Sequence, residues 1–189
     1  MLDWQELIGA CSDCHRCGLG STRKNIVIGR GNIKAPLMFV GEGPGEQEDK
    51  QGLPFVGSAG KLLDVLLDAL QFNKDQYYIA NVVKCRPPGN RVPLDEEAEK
   101  CLPYLRNQVY LIRPEIIVCL GATAMKYIVS RDAKITQIRG NWIERKGYWI
   151  MPTFHPAALL RDESKKILMW QDMKKVKQRL DEICQNKID

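Results

Sequence analysis

The sequence lacks the features that would place it in a membrane or secreted class of protein. No stretch approaches the roughly 20 uninterrupted apolar residues that a membrane helix requires. The stretch from Met1 to Glu6 is acidic and has neither the basic start nor the apolar run of a signal peptide. Internal repeats, low-complexity tracts and flexible linkers are also missing. We therefore expect a soluble cytoplasmic protein without a membrane partner, folded as a single domain over residues 1–189.

Common nucleotide-binding and disulfide patterns are absent as well. The chain has no G-x-G-x-x-G motif, and the Gly60-Lys61 pair lacks the glycine spacing and the Ser/Thr of a Walker A loop. The seven cysteines are an odd number, which argues against a disulfide framework. There are only two histidines, His15 and His155, so imidazole chemistry has few candidates.

What the sequence does contain is an alternation of strand-like and helix-like apolar patterns in a chain that is 44% hydrophobic. The strands are predicted at 36–40, 77–83 and 115–120, with a fourth that ends at 154–156 after a hairpin over 142–150 turning at Lys146-Gly147. Helices are predicted to begin at Asp95 and Gly121, and two more are predicted with Ser58 and Ser164 as their N-caps. Pro103 is expected to kink or split the helix that begins at Asp95. This alternation predicts an α/β fold with a mainly parallel sheet covered on both faces.

In such sheets, ligands bind beyond the carboxyl ends of the strands. Four segments of this chain follow strand ends, and these are the first candidates for a site: the 41–45 loop, Asn81, Gly121-Ala122 and His155-Pro156. The net charge of +5 allows a polyanionic partner without requiring one.

Five of the cysteines form a pattern typical of a metal site. Cys11, Cys14 and Cys17 are spaced as C-x-x-C-x-x-C, and Cys85 and Cys101 follow at a distance. Four thiolates can hold zinc or an iron–sulfur cluster, and one short-spaced group with two distant cysteines favours the cluster over the paired CxxC spacing of structural zinc. A set of free thiols is the alternative. The spacing does not decide which N-terminal cysteine is spare.

The loop Gly41-Glu42-Gly43-Pro44-Gly45 permits close approach of the backbone to a ligand, because glycine has no side chain. No helix is expected directly after it, and a merely tight turn is the alternative. The acidic residues of this stretch would repel DNA phosphates and belong in a pocket or on a face turned away from them; they are Glu42, Glu46, Glu48 and Asp49.

Taken together, the motifs resemble those of the family 4 (type-4) uracil-DNA glycosylases. The matching segments occur in the family's order: 41–49 (GEGPGEQED), 54–57 (PFVG), 81–88 (NVVKCRPP), 114–121 and 155–160 (HPAALL). The sequence has no His-containing basic insertion after Arg91, unlike the relatives that trap DNA covalently, and HPAALL fits family 4 better than family 5.

The resemblance implies a three-layer α/β/α sandwich and a monofunctional enzyme that removes uracil from DNA in base excision repair. It implies a [4Fe–4S] cluster, which by position falls on Cys14, Cys17, Cys85 and Cys101 and leaves Cys11 spare. We expect the cluster to be structural and the enzyme to act as a monomer on uracil-containing DNA.

Within this family, three residues can read and activate an extruded base. Phe55 would stack on uracil, and Asn81 would accept from N3–H and donate to O4, a pattern that cytosine cannot match. His155 would donate a hydrogen bond to O2, where negative charge grows as the glycosidic bond breaks. Their alternatives are core packing for Phe55, a turn cap for Asn81 and a satisfied core histidine for His155.

Other residues are expected to complete the pocket and to contact the DNA. Gly41, Glu42 and Gly43 would form the floor of the pocket, with Glu42 as water-activating base or water-positioning group. By resemblance, Glu48 would sit against uracil C5 and exclude the thymine methyl. Leu159 is the expected wedge in the DNA stack, and the expected phosphate contacts are Lys84, Arg86, Arg91 and Arg161.

Two other classes of function remain open from sequence. One is a cluster-based redox or sensing protein that binds a nucleotide at the same strand ends. The other is a nucleic-acid-binding module with structural zinc.

Overall fold

The computed structural model describes residues 1–145 and 147–186, and its centre is a six-stranded sheet. The strands are β1 (Arg30–Gly31), β2 (Leu37–Gly41), β3 (Tyr77–Asn81), β4 (Ile116–Leu120), β5 (Ile143–Arg145) and β6 (Tyr148–Thr153). Their order across the sheet is β1-β3-β2-β4-β6-β5. The four central strands are parallel, and the two short edge strands pair antiparallel with their neighbours. The predicted mainly parallel sheet is confirmed.

Helices cover both faces of this sheet. They are α1 (Trp4–Ser12), α2 (Glu46–Gln51), α3 (Ser58–Ala69), α4 (Asp95–Ile112), α5 (Ala122–Ile128), α6 (Ile135–Ile138), α7 (Pro156–Arg161) and α8 (Ser164–Gln185). One apolar core lies between the sheet and α1, α4 and α5, and a second lies between the sheet and α3, α7 and α8. The chain therefore forms the expected three-layer α/β/α sandwich.

Alternation along β2 shows why the sheet is buried on both sides. Leu37 and Phe39 belong to the core under α3 and α8, whereas Met38 and Val40 belong to the core under α4. All four side chains are fully buried. An uninterrupted apolar run is what a parallel strand needs when helices cover both faces.

The carboxyl ends of the central strands meet at one edge of the sheet. Gly41 at the end of β2 is the register partner of Asn81 at the end of β3. On the other side, the N–H of Gly121 after β4 donates to the carbonyl of Thr153 at the end of β6, at 2.9 Å. This edge, which we call the strand-end rim, gathers all four segments that the sequence nominated as site candidates.

Three sequence predictions about helices were wrong. Helix α2 begins directly after the glycine loop, with Gly45 as its N-cap. Ser58 and Ser164 are first helical residues rather than caps, since Gly57 and Glu163 occupy the N-cap positions. The sequence also gave no indication of α1, α6 and α7.

Helix α4 is not split at Pro103, which was one of the two outcomes predicted for it, and runs as one helix from Asp95 to Ile112. Pro103 lies on the exposed face of the helix, and the carbonyl of Glu99, which loses its hydrogen bond, also belongs to an exposed residue. Buried residues before and after the proline, including Ala98, Cys101 and Leu105, hold both halves of the helix against the same core. The helix can therefore contain the proline, because the freed carbonyl is on the solvent-exposed face and the buried face stays packed.

The predicted hairpin is present as the antiparallel pair β5 and β6, in which Ile143 faces Ile150. Its turn was predicted at Lys146-Gly147. Lys146 lies outside the described residues, and Gly147 has a left-handed φ of 87°. Across 1–145 and 147–186, no helix combines the length and the apolarity needed to cross a bilayer.

Candidate active site and cysteine cavity

Gly41 allows two of the predicted site residues to meet at the strand-end rim. A Cβ atom at Gly41 would lie 2.5 Å from Asn81 Oδ1 and 2.6 Å from Cζ of the Phe55 ring. Both distances are far shorter than van der Waals contact, so any side chain at position 41 would displace Asn81 or Phe55. The structure thus brings these two side chains together over the end of β2.

His155 joins the same group from the end of β6. Its ring lies 5.6 Å from the Phe55 ring, centroid to centroid, at an interplanar angle of 33°. Gly121 makes this approach possible: it has a left-handed φ of 93°, and a Cβ there would lie 2.8 Å from His155 Cβ. Phe55 therefore contacts both the Asn81 side of the rim and the His155 side.

Asn81 has an unsatisfied hydrogen-bonding group in this setting. The residue is only 2% exposed, and its Oδ1 has no hydrogen-bond partner among the described residues. Leaving a buried acceptor unpaired costs about 1–3 kcal/mol. Such an atom at the rim, beside an aromatic face, is a ready acceptor for a donor on a ligand.

The hydrogen bonding of His155 fixes which ring nitrogen is available. Its Nδ1 accepts from the backbone N–H of Ala157 at 3.1 Å, so His155 is the N-cap of α7. A neutral ring with Nδ1 as acceptor carries its proton on Nε2. Burial, helped by the positive charge of Arg161 and opposed by Glu48, lowers the pKa of His155 to about 4. The imidazole is therefore neutral at pH 7, with Nε2–H free to donate.

Phe55 is held in an unusual backbone conformation. Its φ is +55°, in the left-handed region that non-glycine residues rarely adopt. Glu48 Oε1 accepts from the next two backbone N–H groups, Val56 at 2.9 Å and Gly57 at 2.7 Å. Gly60 packs directly against the Phe55 carbonyl, where a side chain would clash. Backbone strain of this kind costs on the order of 1–3 kcal/mol and is typical of functional sites.

Glu42 is fixed by a residue that sequence reasoning missed. The hydroxyl of Thr123 donates a short hydrogen bond to Glu42 Oε2. Thr123 is the second residue of α5, directly behind the end of β4, and is 9% exposed. The strand-end rule could have identified it, because the candidate segment Gly121-Ala122 stopped one residue short. Among the described residues, the other carboxylate oxygen, Glu42 Oε1, has no hydrogen-bond partner.

Gly43 in the same loop also allows a close backbone approach. A Cβ there would lie 2.7 Å from Cγ2 of Val83. The chain that leaves β3 is bonded to the loop, since Val82 N–H donates to the Gly41 carbonyl at 2.9 Å and Val83 N–H donates to the Glu42 carbonyl at 3.2 Å. The loop is thus fixed along the edge of the site.

Lys84 does not serve as a phosphate contact, contrary to the sequence prediction. It is 1% exposed, and its Nζ donates to the carbonyl of Asn81 at 2.7 Å and to Gln108 Oε1 at 2.6 Å. A buried ammonium cannot reach a DNA backbone.

The predicted arginine contacts differ in how freely they could reach a phosphate. Arg91 makes a two-pronged ion pair with Glu97, at 2.8 and 2.7 Å, which orders the segment before α4. Arg86 donates to Asn90 at 2.7 Å and lies 3.8 Å from Glu46. Arg161, at the end of α7, is exposed and has no ion pair within the described ranges. Arg161 is therefore the most accessible of the three.

The prediction that Leu159 is the wedge that enters the DNA stack is wrong. It is 3% exposed and packs in the core beneath α3 and α8. The next residue, Leu160, is 51% exposed on the same short helix. Helix α7 turns the first leucine inward and the second outward.

The four cysteines nominated as cluster ligands line one cavity. Cys14, Cys17, Cys85 and Cys101 all contribute to its wall, whereas Cys11 is fully buried in the adjacent core and does not. No three Cys, His, Asp or Glu side chains within 1–145 and 147–186 are grouped to hold a single metal ion. Four thiols that line one cavity are a donor set that an iron–sulfur cluster takes, with one thiolate on each iron.

Hydrogen-bond donors are directed at two of these sulfur atoms. Arg23, which no sequence motif indicated, donates to Cys85 Sγ at 3.3 Å and to the Cys14 carbonyl at 2.9 Å. The backbone N–H of Lys84 donates to Cys101 Sγ at 3.3 Å. Donors of this kind stabilise thiolates, which are the forms that ligate metals. The residues present therefore fit an iron–sulfur group.

Comparison with known proteins agrees with this arrangement. The profile of the uracil DNA glycosylase superfamily matches residues 28–180. The chain is 46% identical to the type-4 uracil-DNA glycosylase of Thermotoga maritima over 168 residues, which cover 87% of this chain and 88% of the relative. It is 45% identical over 174 residues to that of Sulfurisphaera tokodaii, covering 87% and 79%, and 43% identical over 176 residues to that of Saccharolobus solfataricus, covering 88% and 82%. The chain therefore belongs to the uracil DNA glycosylase superfamily and, within it, to the type-4 uracil-DNA glycosylases.

Proposed function

We propose that this chain hydrolyses the N-glycosidic bond of deoxyuridine in DNA at the strand-end rim, releasing free uracil and leaving an abasic site. Family membership supports the reaction. The observation that best supports a uracil site here is the unpaired Asn81 Oδ1, which is buried beside the Phe55 ring and near the neutral imidazole of His155. Few ligands other than a flat, hydrogen-bonding base use all three groups at once.

Uracil recognition is proposed to rest on Asn81 and Phe55. Asn81 Oδ1 accepts from N3–H of the base and its amide nitrogen donates to O4, while Phe55 stacks on the ring. Cytosine presents an acceptor at N3 and a donor at N4, so it would leave both amide groups unpaired. A site that depends on buried hydrogen bonds discriminates strongly for this reason.

Bond cleavage is proposed to depend on His155. As the bond lengthens, the sugar gains positive charge and the base gains negative charge, as in sugar hydrolysis. Nε2–H of His155 donates to uracil O2, where that negative charge collects. A neutral donor already fixed by its Nδ1 bond needs no reorganisation, which is how pre-oriented dipoles lower a barrier.

Glu42 is proposed to hold the attacking water through Oε1, as its base or as an orienting acceptor. Thr123 fixes the other carboxylate oxygen. Gly41 and Gly43 bring the backbone close to the base. The contact of Glu48 with uracil C5 stays a prediction, and its hydrogen bonds to Val56 and Gly57 add the task of holding Phe55 in place.

The cysteine cavity is proposed to bind a [4Fe–4S] cluster through Cys14, Cys17, Cys85 and Cys101. When bound, the cluster supplies a cross-link between the N-terminal segment and the chain that leaves β3. Arg23 and Lys84 support the sulfur atoms by the hydrogen bonds described above.

DNA binding is proposed to use Arg161 as the main phosphate contact, with Arg86 and Arg91 contributing after exchange of their internal partners. Leu160 takes the place of Leu159 as the apolar side chain that enters the stack. The monomeric state and the cytoplasmic location stay predictions.

The reaction is tested with purified, iron-loaded protein and oligonucleotides that differ only in one base, uracil, cytosine or thymine. We expect release of uracil alone, with alkali-sensitive abasic DNA as the second product. Absence of uracil release by fully loaded protein would overturn the proposal.

A further inference from the structure

Lys84 is a buried cation without a carboxylate partner. Its ammonium donates to two neutral oxygens, the Asn81 carbonyl at 2.7 Å and Gln108 Oε1 at 2.6 Å. No Asp or Glu oxygen lies within ion-pairing distance of it in the residues that the structure describes. Charged groups buried in a protein are normally paired, because removal from water is costly. An anion is therefore expected close to Lys84.

The cysteine cavity is where such an anion would lie. Lys84 is part of the cavity wall together with the four proposed ligands. It precedes Cys85 in the chain, and its own N–H donates to Cys101 Sγ at 3.3 Å. Thiolates that ligate a cluster bring one negative charge each, and the net charge near a cluster tunes its reduction potential. Arg23 places a second cation on Cys85, at 3.3 Å.

The same ammonium also reaches the uracil site. Its bond to the Asn81 carbonyl fixes the backbone of the residue whose side chain carries the unpaired acceptor. Lys84 is thus a single side chain in contact with both regions.

We propose that Lys84 is the buried counter-ion of the cluster and a positioning residue for Asn81, so that the cluster's charge and the geometry of uracil recognition are linked through one side chain. This inference rests on the proposed function for the identity of both regions. It adds an electrostatic task for the cluster beyond cross-linking the chain.

The charge is tested with Lys84→Met, which keeps an unbranched chain and removes the ammonium. Lys100→Met is the matched control, because Lys100 lies on the rim of the same cavity but is half exposed and paired with Glu96 at 2.5 Å. With the cluster loaded, Lys84→Met should lower the unfolding temperature and shift the cluster reduction potential downward, since loss of a nearby cation disfavours the more negative reduced form. Lys100→Met should leave the potential close to that of the parent protein.

The cluster-free forms separate a counter-ion from an ordinary hydrogen-bonding lysine. Without the cluster, Lys84→Met loses only the bonds to the Asn81 carbonyl and Gln108, so it should lower the unfolding temperature by clearly less than it does in the cluster-loaded protein. An equal decrease in both forms, with an unchanged reduction potential, would overturn the counter-ion role.

The link to Asn81 is tested by kinetics on an oligonucleotide with one uracil, corrected for iron content. We expect kcat/KM of Lys84→Met to fall on the order of tenfold through misplacement of Asn81. Should this variant not fold, Lys84→Gln removes the charge while keeping a polar side chain, and the same measurements apply. Parent-like kcat/KM overturns the positioning role, whereas absence of uracil release by the parent protein itself counts against the proposed function.

Discussion

At the scale of single residues, the amide of Asn81 is kept in an environment that does not satisfy it. Its oxygen is buried without a partner, so the free protein is less stable than it would be with a ligand bound. Groups that would be better satisfied by a substrate than by the fold are expected where function and stability conflict.

Asn81→Ala should therefore lower the single-turnover rate of uracil release on the order of 100-fold, as loss of one positioned hydrogen-bonding group does in other sites. The free energy of unfolding should change by no more than about 1 kcal/mol, because little satisfied hydrogen bonding is lost. Asn107→Ala is the control: Asn107 is also buried, and its amide is satisfied twice by Leu2 at 2.9 Å. The control should lose stability and keep its rate, and the reverse pattern would contradict the assignment.

Thr123 gives a second prediction at this scale. Thr123→Val removes the hydroxyl that fixes Glu42 and preserves the shape of the side chain. We expect kcat to fall roughly tenfold with KM little changed, because the proposed task of Glu42 is to hold the attacking water and not to bind the base. Thr123→Ser keeps the hydroxyl and should retain most of the rate. Equal losses in both variants would show that the methyl group, and not the bond to Glu42, is what counts.

The lowered pKa of His155 predicts that the stability of the folded protein depends on pH. Its pKa is about 4 in the folded protein, and that of a free histidine is about 6.5, so between these values the unfolded chain binds more protons. The neutral His155 therefore contributes fully to the stability of the folded protein above pH 6.5. This contribution is lost as the pH falls toward 4.

His155→Asn isolates this effect, because asparagine can accept the Ala157 N–H as the cap of α7 and does not titrate. Thermal unfolding measured at several pH values should show a flatter decline for the variant than for the parent between pH 6.5 and pH 4. Parallel curves would mean that His155 is not held neutral by the fold.

At the scale of elements, the short helix α7 places two adjacent leucines in opposite environments. Leu159 is packed beneath α3 and α8, and Leu160 projects into solvent. Leu159→Ala should cost about 2–5 kcal/mol of stability, as large-to-small changes in a core do. Leu160→Ala should keep its unfolding temperature and lose more activity on double-stranded than on single-stranded uracil DNA, since only a duplex leaves a gap to fill. Equal loss on both substrates would argue against a wedge.

The strand-end rim was predictable from sequence because its signals are local. An apolar run followed by glycines or a polar residue predicts a strand end wherever it occurs, and Gly41, Asn81 and His155 each follow such a run. The parallel sheet then brings these ends together without further information.

The errors came from features that depend on tertiary contacts. Which of Leu159 and Leu160 faces inward depends on the phase of α7 against two distant helices. Lys84 reads as a surface lysine until Asn81 and Gln108 are seen to surround it. The turn before α3 depends on Glu48, which accepts from the N–H groups of Val56 and Gly57 and lies on a helix that the glycine loop gave no reason to expect.

At the scale of the whole molecule, the cysteine cavity joins segments that are far apart in the chain. Cys14 and Cys17 lie between α1 and β1, Cys85 follows β3, and Cys101 is on α4. Within the described ranges, Arg23 is among the few protein groups that bond across this junction. A cross-link between distant segments stabilises chiefly by restricting the unfolded chain.

Removal of the proposed cluster's iron by a chelator should therefore loosen the segments around 13–23 and 82–94 and leave the sheet intact. Hydrogen exchange followed by mass spectrometry should show faster exchange in those two segments, with β4 protected as before. Uniform loss of protection would indicate that the cluster holds the entire fold, and no change would indicate that it is dispensable for order.

The left-handed backbone of Phe55 limits how this enzyme can be improved. Glycine at position 55 would relax the turn, but it would remove the aromatic face on which the base is proposed to rest. Selection for thermostability alone would therefore favour glycine at position 55. The resulting proteins would be more stable but would bind their substrate poorly. Gains in durability are better sought in the outer helices, where neither the turn nor its ring is touched.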